Sequence, residues 1–117
     1  TAKKEKKQIE IAKQFNKLGK FNLPVLISAI TAFDNFITDN PGSVYREEAL
    51  YYRIEATTEL AINSTEDKKK ERLEDALDSY NNLLRYFPET KFKKEADKLA
   101  ETIQKGLSAY SDTTLSK

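Results

Sequence analysis

Apolar residues recur every three or four positions in five successive segments of the chain. This is the spacing of one buried face on an α-helix, and Gly or Pro residues interrupt it where helices commonly end. The pattern predicts five antiparallel helices with boundaries near four residues: Gly19, Pro41, Asn63 and Pro88. We expect Gly19 to end the first helix in a left-handed conformation.

The third predicted helix, about Val44 to Ile62, is apolar around most of its circumference. A helix with two apolar sides packs between neighbouring helices, so we expect it at the centre of the fold. Its remaining polar strip consists of four residues: Tyr51, Glu55, Thr58 and Glu59.

One stretch of the chain occurs twice, displaced by 47 positions, so that Phe33 and Pro41 match Tyr80 and Pro88. A constant displacement indicates one supersecondary unit used repeatedly, in which each copy buries its apolar face against a neighbour. We therefore expect Phe33 and Tyr80 to be equivalent buried aromatic residues.

Hydroxyl residues mark the starts of the later helices. Ser43 and Thr90 follow the two prolines at equivalent positions, where a side-chain oxygen accepts from the free N–H groups of the next turn. Ser64, with Asp67 three residues later, resembles a capping box at the start of the fourth helix. The charged residues that follow the short loop predict a solvated first turn or two.

The helical pattern limits the predicted domain to residues 9–107. Residues 1–8 are rich in Lys and have no apolar periodicity, so we expect a frayed basic N-terminus. Residues 108–117 are rich in Ser and Thr, which predicts a disordered tail.

Composition excludes several classes of function. The chain has 117 residues, with 20 Lys and Arg against 19 Asp and Glu, so it has no basic excess to attract nucleic acid or anionic lipid. The sequence contains no His and no Cys, which removes the commonest metal ligands and the commonest general base. We expect no metal, no cofactor and no nucleic-acid partner.

Candidate catalytic groups are equally scarce. Glu47 and Glu48 are adjacent, so on a helix they point in different directions and do not form a hydrolase pair. Only 3 Gly are present, and they do not cluster in a phosphate-binding loop. We expect no catalytic residue and no enzymatic activity.

A set of small, aromatic and helix-terminating positions resembles the second half of a tetratricopeptide repeat: Gly19, Phe21, Ala29, Phe33 and Pro41. The resemblance implies an all-α fold, a tetratricopeptide-like right-handed α-α superhelix. The displacement of 47 exceeds the usual repeat of about 34 residues, and the surplus lies in residues 63–72.

Such an enlarged repeat is similar to the later repeats of the outer-membrane assembly factor BamD, in the form found in Bacteroidetes-type bacteria. The matching stretches are residues 29–36, 40–43, 45–52, 59–64 and 86–89, within a resemblance that covers about residues 9–107. The resemblance implies a lipoprotein on the periplasmic face of the outer membrane that binds the barrel-forming subunit and helps to assemble β-barrel proteins. The family's lipid-carrying Cys and earlier repeats are missing here, which implies a C-terminal portion whose only membrane contact is that anchor.

Two other functions stay open at this point. A generic peptide-binding tetratricopeptide adaptor would show the same repeat residues, and so would an accessory repeat domain of an enzyme. The coding sequence upstream of this segment would distinguish them, because a lipid-anchored start is specific to the first interpretation.

Two surface patches are candidates for binding the partner's periplasmic region. The first is the polar strip of the third helix, with Lys13 and Lys17 of the first helix beside it if that helix packs in the same layer. The second is the start of the fourth helix, with Lys68 and Lys70, because the family's C-terminal repeats dock on the barrel-forming subunit.

Overall fold

The computed structural model describes the backbone of residues 2–115 and the side chains of residues 3–20 and 22–110. Its five α-helices are α1 (Ala2–Leu18), α2 (Leu23–Asp39), α3 (Arg46–Ile62), α4 (Glu66–Tyr86) and α5 (Lys93–Leu115), with a 3₁₀ turn at Gly19–Phe21. The described residues form no strand, which confirms the all-α prediction. Within that part of the chain, no helix is long and apolar enough to cross a membrane.

Both ends of the described chain are more helical than the pattern predicted. α1 begins at Ala2 rather than Ile9, because the Ala, Lys, Glu and Gln residues before Ile9 favour a helix even without an apolar face. α5 continues past residue 107, where the Tyr110 hydroxyl donates to Glu66 at 3.1 Å. Thr1 and the last two residues of the predicted tail lie outside the described part, and the domain limits 9–107 stay a prediction.

The central position of α3 explains the arrangement of the other helices. α3 contacts each of the other four α-helices, and α1 and α5 flank it in one layer while α2 and α4 pack across it. Its buried residues point in several directions, as its pattern predicts: Ala49, Leu50, Tyr51, Ile54, Ala56, Thr57, Thr58, Leu60 and Ala61. The result is a two-layer, tetratricopeptide-like superhelix that measures 54 × 31 × 21 Å.

The two predicted aromatic positions are equivalent in place but differ in burial. Phe33 is fully buried in the core shared by α1, α2 and α3. Tyr80 packs at the edge of the core shared by α3, α4 and α5, and its hydroxyl donates to Asp97 of α5 at 2.6 Å. The polar tip needs this partner near solvent, so Tyr80 stays half-buried.

The two proline junctions share their local hydrogen bonds. The Ser43 hydroxyl accepts from the backbone N–H of Tyr45 at 3.1 Å, and the Thr90 hydroxyl accepts from that of Phe92 at 3.2 Å. Both hydroxyls therefore accept from the turn that follows them, but neither residue is next to a helix start: α3 begins at Arg46 with Tyr45 as its N-cap, and α5 begins at Lys93.

The capping box predicted at Ser64 is wrong. The Ser64 hydroxyl donates instead to the carbonyl of Leu60 at 2.6 Å and accepts from Arg72 at 2.7 Å, so it closes the end of α3. Thr65 is the N-cap of α4, and its hydroxyl bonds to the Asp67 carboxylate. Of the surplus residues 63–72, residues 63–65 form the connection after α3 and residues 66–72 form the first turns of α4.

Gly19 has a different role from the one its position suggested. No described residue has a positive φ, so Gly19 does not end α1 in the left-handed conformation. A Cβ atom at Gly19 would lie 2.8 Å from the backbone nitrogen and from Cγ of Leu26. The absence of a side chain therefore lets the turn approach the start of α2.

We predict that Gly19→Ala lowers the free energy of unfolding by about 1–3 kcal/mol, because α2 must move away from the added methyl group. Gly42→Ala is the matched control, since a Cβ atom at Gly42 meets nothing within 4 Å and restricts only the unfolded chain. Urea unfolding of both variants checks this. Equal stability of the two variants would contradict the packing role of Gly19.

Candidate functional site

A cavity of about 610 Å³ lies between α1 and α3 and forms the candidate binding groove. We call it the α1–α3 groove, and its lining residues are Glu10, Lys13, Gln14, Asn16, Lys17, Lys20, Tyr52 and Glu55. The structure therefore brings together three residues of the first predicted patch, namely Lys13, Lys17 and Glu55. α1 contacts α3 directly.

Lys13 is held in place by contacts with α3. Its Nζ lies 2.7 Å from Glu48 Oε2 and 4.9 Å from the centroid of the Tyr52 ring. Burial disfavours the charge of Lys13, but the hydrogen bond and the negative charge of Glu48 outweigh it and raise the pKa of the ammonium group. Lys13 therefore places a positive charge at a fixed position on the α1 side of the groove.

Glu55 is also engaged by neighbouring side chains. It accepts a hydrogen bond from Asn16 Nδ2 at 3.1 Å and from the Tyr51 hydroxyl at 3.4 Å. The Tyr51 ring stacks on Phe92, the residue that precedes α5, with centroids 4.5 Å apart and planes 4° apart. Burial and the adjacent Glu55 carboxylate raise the pKa of Tyr51 far above its ordinary value.

The polar strip predicted on α3 is only partly exposed. Tyr51 is 7% exposed and Thr58 is 2% exposed, and Tyr51 belongs to the core that α3 shares with α4 and α5. The Thr58 hydroxyl has no hydrogen-bond partner among the described residues. Glu59 is half-buried, and its Oε1 accepts from Asn63 at 3.4 Å, so Glu55 and Glu59 are the parts of the strip that reach the surface.

The second predicted patch lies apart from the α1–α3 groove. Lys68 lines a different cavity of about 440 Å³ between α2 and α4, together with Ile27, Ile30, Thr31, Leu60, Glu71, Arg72 and Asp75. Lys70 is exposed and does not line this cavity. The structure thus gives the two patches separate surfaces.

Arg53 links three helices, and the sequence pattern did not single it out. From α3, its Nε lies 2.5 Å from Asp34 of α2, and its guanidinium lies 3.5 Å from Asp75 and bonds to Ser79 of α4. Burial disfavours its charge, but these carboxylates outweigh that effect and raise the pKa of Arg53. In the sequence, the one feature that could have identified Arg53 is its position as a cation between Tyr52 and Ile54 in the middle of the central helix.

The described residues contain no group of three or more His, Cys, Asp or Glu side chains that is arranged to hold a metal ion. Two acidic residues at the groove are instead bonded to neighbouring side chains. Glu48 pairs with Lys13, and Glu55 accepts from Asn16 and Tyr51. The chemistry of the groove is therefore that of hydrogen-bonding and charged contacts.

Comparison with known proteins places the chain in a family. The model of the YfiO family, described as outer membrane lipoprotein, matches residues 3–115. The chain belongs to this family. The match confirms the BamD-like resemblance at family level and associates the chain with the outer membrane. No curated protein matches the chain, and no solved structure does.

We predict that stability at alkaline pH depends on Tyr51. The unfolded chain loses the Tyr51 proton near the ordinary tyrosine pKa of about 10 whereas the folded chain keeps it, so stability falls as pH rises above that value. Tyr51→Phe keeps the stacked ring and removes this loss, which amounts to at most about 1.4 kcal/mol per pH unit. Urea unfolding from about pH 8 to about pH 11 checks this. Parallel stability profiles of parent and variant would contradict it.

Proposed function

We propose that this chain is a non-catalytic protein–protein interaction scaffold on the periplasmic face of the outer membrane. It acts within the machinery that assembles β-barrel outer-membrane proteins, where it binds the periplasmic region of the barrel-forming subunit. The observation that carries the proposal is the match of the outer membrane lipoprotein family to residues 3–115.

The shape of the molecule supports a scaffold. Its helices form an elongated stack with a groove on each layer, and repeat stacks of this kind bind partners along extended surfaces. The groove residues are positioned by cross-helix bonds such as Lys13–Glu48 and Asn16–Glu55. Binding a partner therefore costs little side-chain conformational entropy at these residues. We propose neither turnover of a small molecule nor use of a cofactor.

The two separate patches imply different positions for the docked partner. The α1–α3 groove would place the partner against α3, the helix that contacts all the others. The patch with Lys68 and Lys70 would place it at the enlarged start of α4 instead. Both contacts involve charged groups at the surface, so both weaken as salt increases.

Binding of the chain to the partner's periplasmic region, measured by isothermal titration calorimetry at low and high salt, tests the proposal. One variant carries Lys17→Gln and Lys20→Gln, which removes two exposed positive charges of the α1–α3 groove. The other carries Lys68→Gln and Lys70→Gln. We predict that the variant of the true docking surface weakens binding at least about fivefold and reduces its salt dependence.

The matched control removes two exposed lysines from the solvent face of α5, with Lys98→Gln and Lys105→Gln. It should bind as the parent does. A parent chain that does not bind the partner's periplasmic region would overturn the proposed function. Parent-like binding by both patch variants, with helical circular dichroism retained, would show that neither patch is the docking surface.

A further inference from the structure

The charges of the α1–α3 groove divide into engaged and unengaged groups. Lys13 is paired with Glu48, and Glu55 accepts bonds from Asn16 and Tyr51. Lys17 and Lys20 line the same cavity, are exposed, and make no hydrogen bond or ion pair within the part of the chain that the structure describes. Glu10 lines the cavity as well and makes no hydrogen bond or ion pair among the described residues, so the groove has one unengaged carboxylate and two unengaged cations.

The two unengaged cations lie close together. Lys17 and Lys20 are three residues apart across the end of α1 and the following 3₁₀ turn, and positions three apart are neighbours on a helical surface. Two adjacent ammonium groups repel each other, and an anion between them removes that repulsion. An ammonium group is a compact donor with three N–H bonds, which suits a carboxylate oxygen.

The remainder of the groove limits what kind of anion fits. Glu10 lies seven residues before Lys17, roughly 10 Å along the axis of α1, and the Glu55 carboxylate lies on the opposite wall. These two carboxylates repel a chain with a phosphate at every unit, such as a nucleic acid. Between them the Tyr52 ring and the exposed amide of Gln14 offer neutral contacts.

We propose that the α1–α3 groove takes an extended protein segment with isolated acidic residues, one of whose carboxylates lies between Lys17 and Lys20. Its neutral residues lie along Tyr52 and Gln14. The inference rests on the proposed function, since the segment belongs to the protein partner of this scaffold, and it names the chemistry by which that partner is recognised.

The test uses the full chain and fluorescence anisotropy. The probe is a short labelled peptide in which two Asp residues alternate with Ser and Ala, and its matched control has Asn in place of Asp. We expect the Asp peptide to bind at least about tenfold more tightly than the Asn peptide at about 50 mM salt, with most of that difference lost at about 300 mM.

The variant Lys17→Glu with Lys20→Glu should lose this preference, whereas Lys98→Glu with Lys105→Glu, on the solvent face of α5, should keep it. All four positions are exposed, so both variants should fold as the parent does. Equal binding of the two peptides would overturn the inference, as would an unchanged preference in the Lys17 and Lys20 variant. Tighter binding of a polyphosphate than of the Asp peptide would also overturn it.

Parallel titration with the partner's periplasmic region separates this inference from the proposed function. If the parent binds that region but shows no preference for the Asp peptide, the inference fails and the proposed function stands. If the parent does not bind the region, the proposed function fails whatever the peptides do.

Discussion

The burial of α3 against all four other helices is the constraint on which the structure depends. Fully burying one Leu or Ile side chain stabilises a fold by about 1.5–3 kcal/mol, and α3 contributes Leu50 and Ile54 to the core that it shares with α4 and α5. Its small residues Ala49 and Ala56 lie beside Phe33 in the core with α1 and α2. The other helices therefore acquire their positions by packing on α3 rather than on one another alone.

A helix enclosed on several sides must also satisfy its polar groups internally. Arg53 does so by reaching Asp34 on one neighbour and Asp75 on another, so its charge is neutralised by both helices of the second layer. The Thr57 hydroxyl donates to the carbonyl of Arg53 at 2.7 Å. On the opposite side, Glu48 and Glu55 hold Lys13 and Asn16 of α1, and these bonds shape the α1–α3 groove.

The apolar pattern was sufficient to predict five helices, their turns and the central place of α3. Each of these depends on local spacing and on Gly or Pro residues that the sequence displays directly. The roles of Gly19, Ser64 and Arg53 were not predictable, because each depends on a residue of another helix or turn: Leu26, Arg72 and Asp34. Tyr51 and Thr58 looked exposed for the same reason, since a polar strip on one helix does not reveal which of its residues the rest of the fold buries.

The groove was predicted only in part. Lys13, Lys17 and Glu55 followed from charge on two helices expected in one layer, and the structure places all three on one cavity. Lys20 and Tyr52 completed that cavity but had no distinguishing signal, because a lysine in a connection and an aromatic residue at helical spacing are ordinary features.

Native-state hydrogen exchange tests the central place of α3 most directly. If the fold depends on its burial, the amides of residues 54–61 exchange only through global unfolding, and their exchange free energies equal the free energy of unfolding from urea titration. The amides of α1 and α5, which flank α3 in one layer, should open at lower free energy. Exchange of the α3 amides through low-energy local openings, while those of α1 or α5 stay protected, would contradict the account.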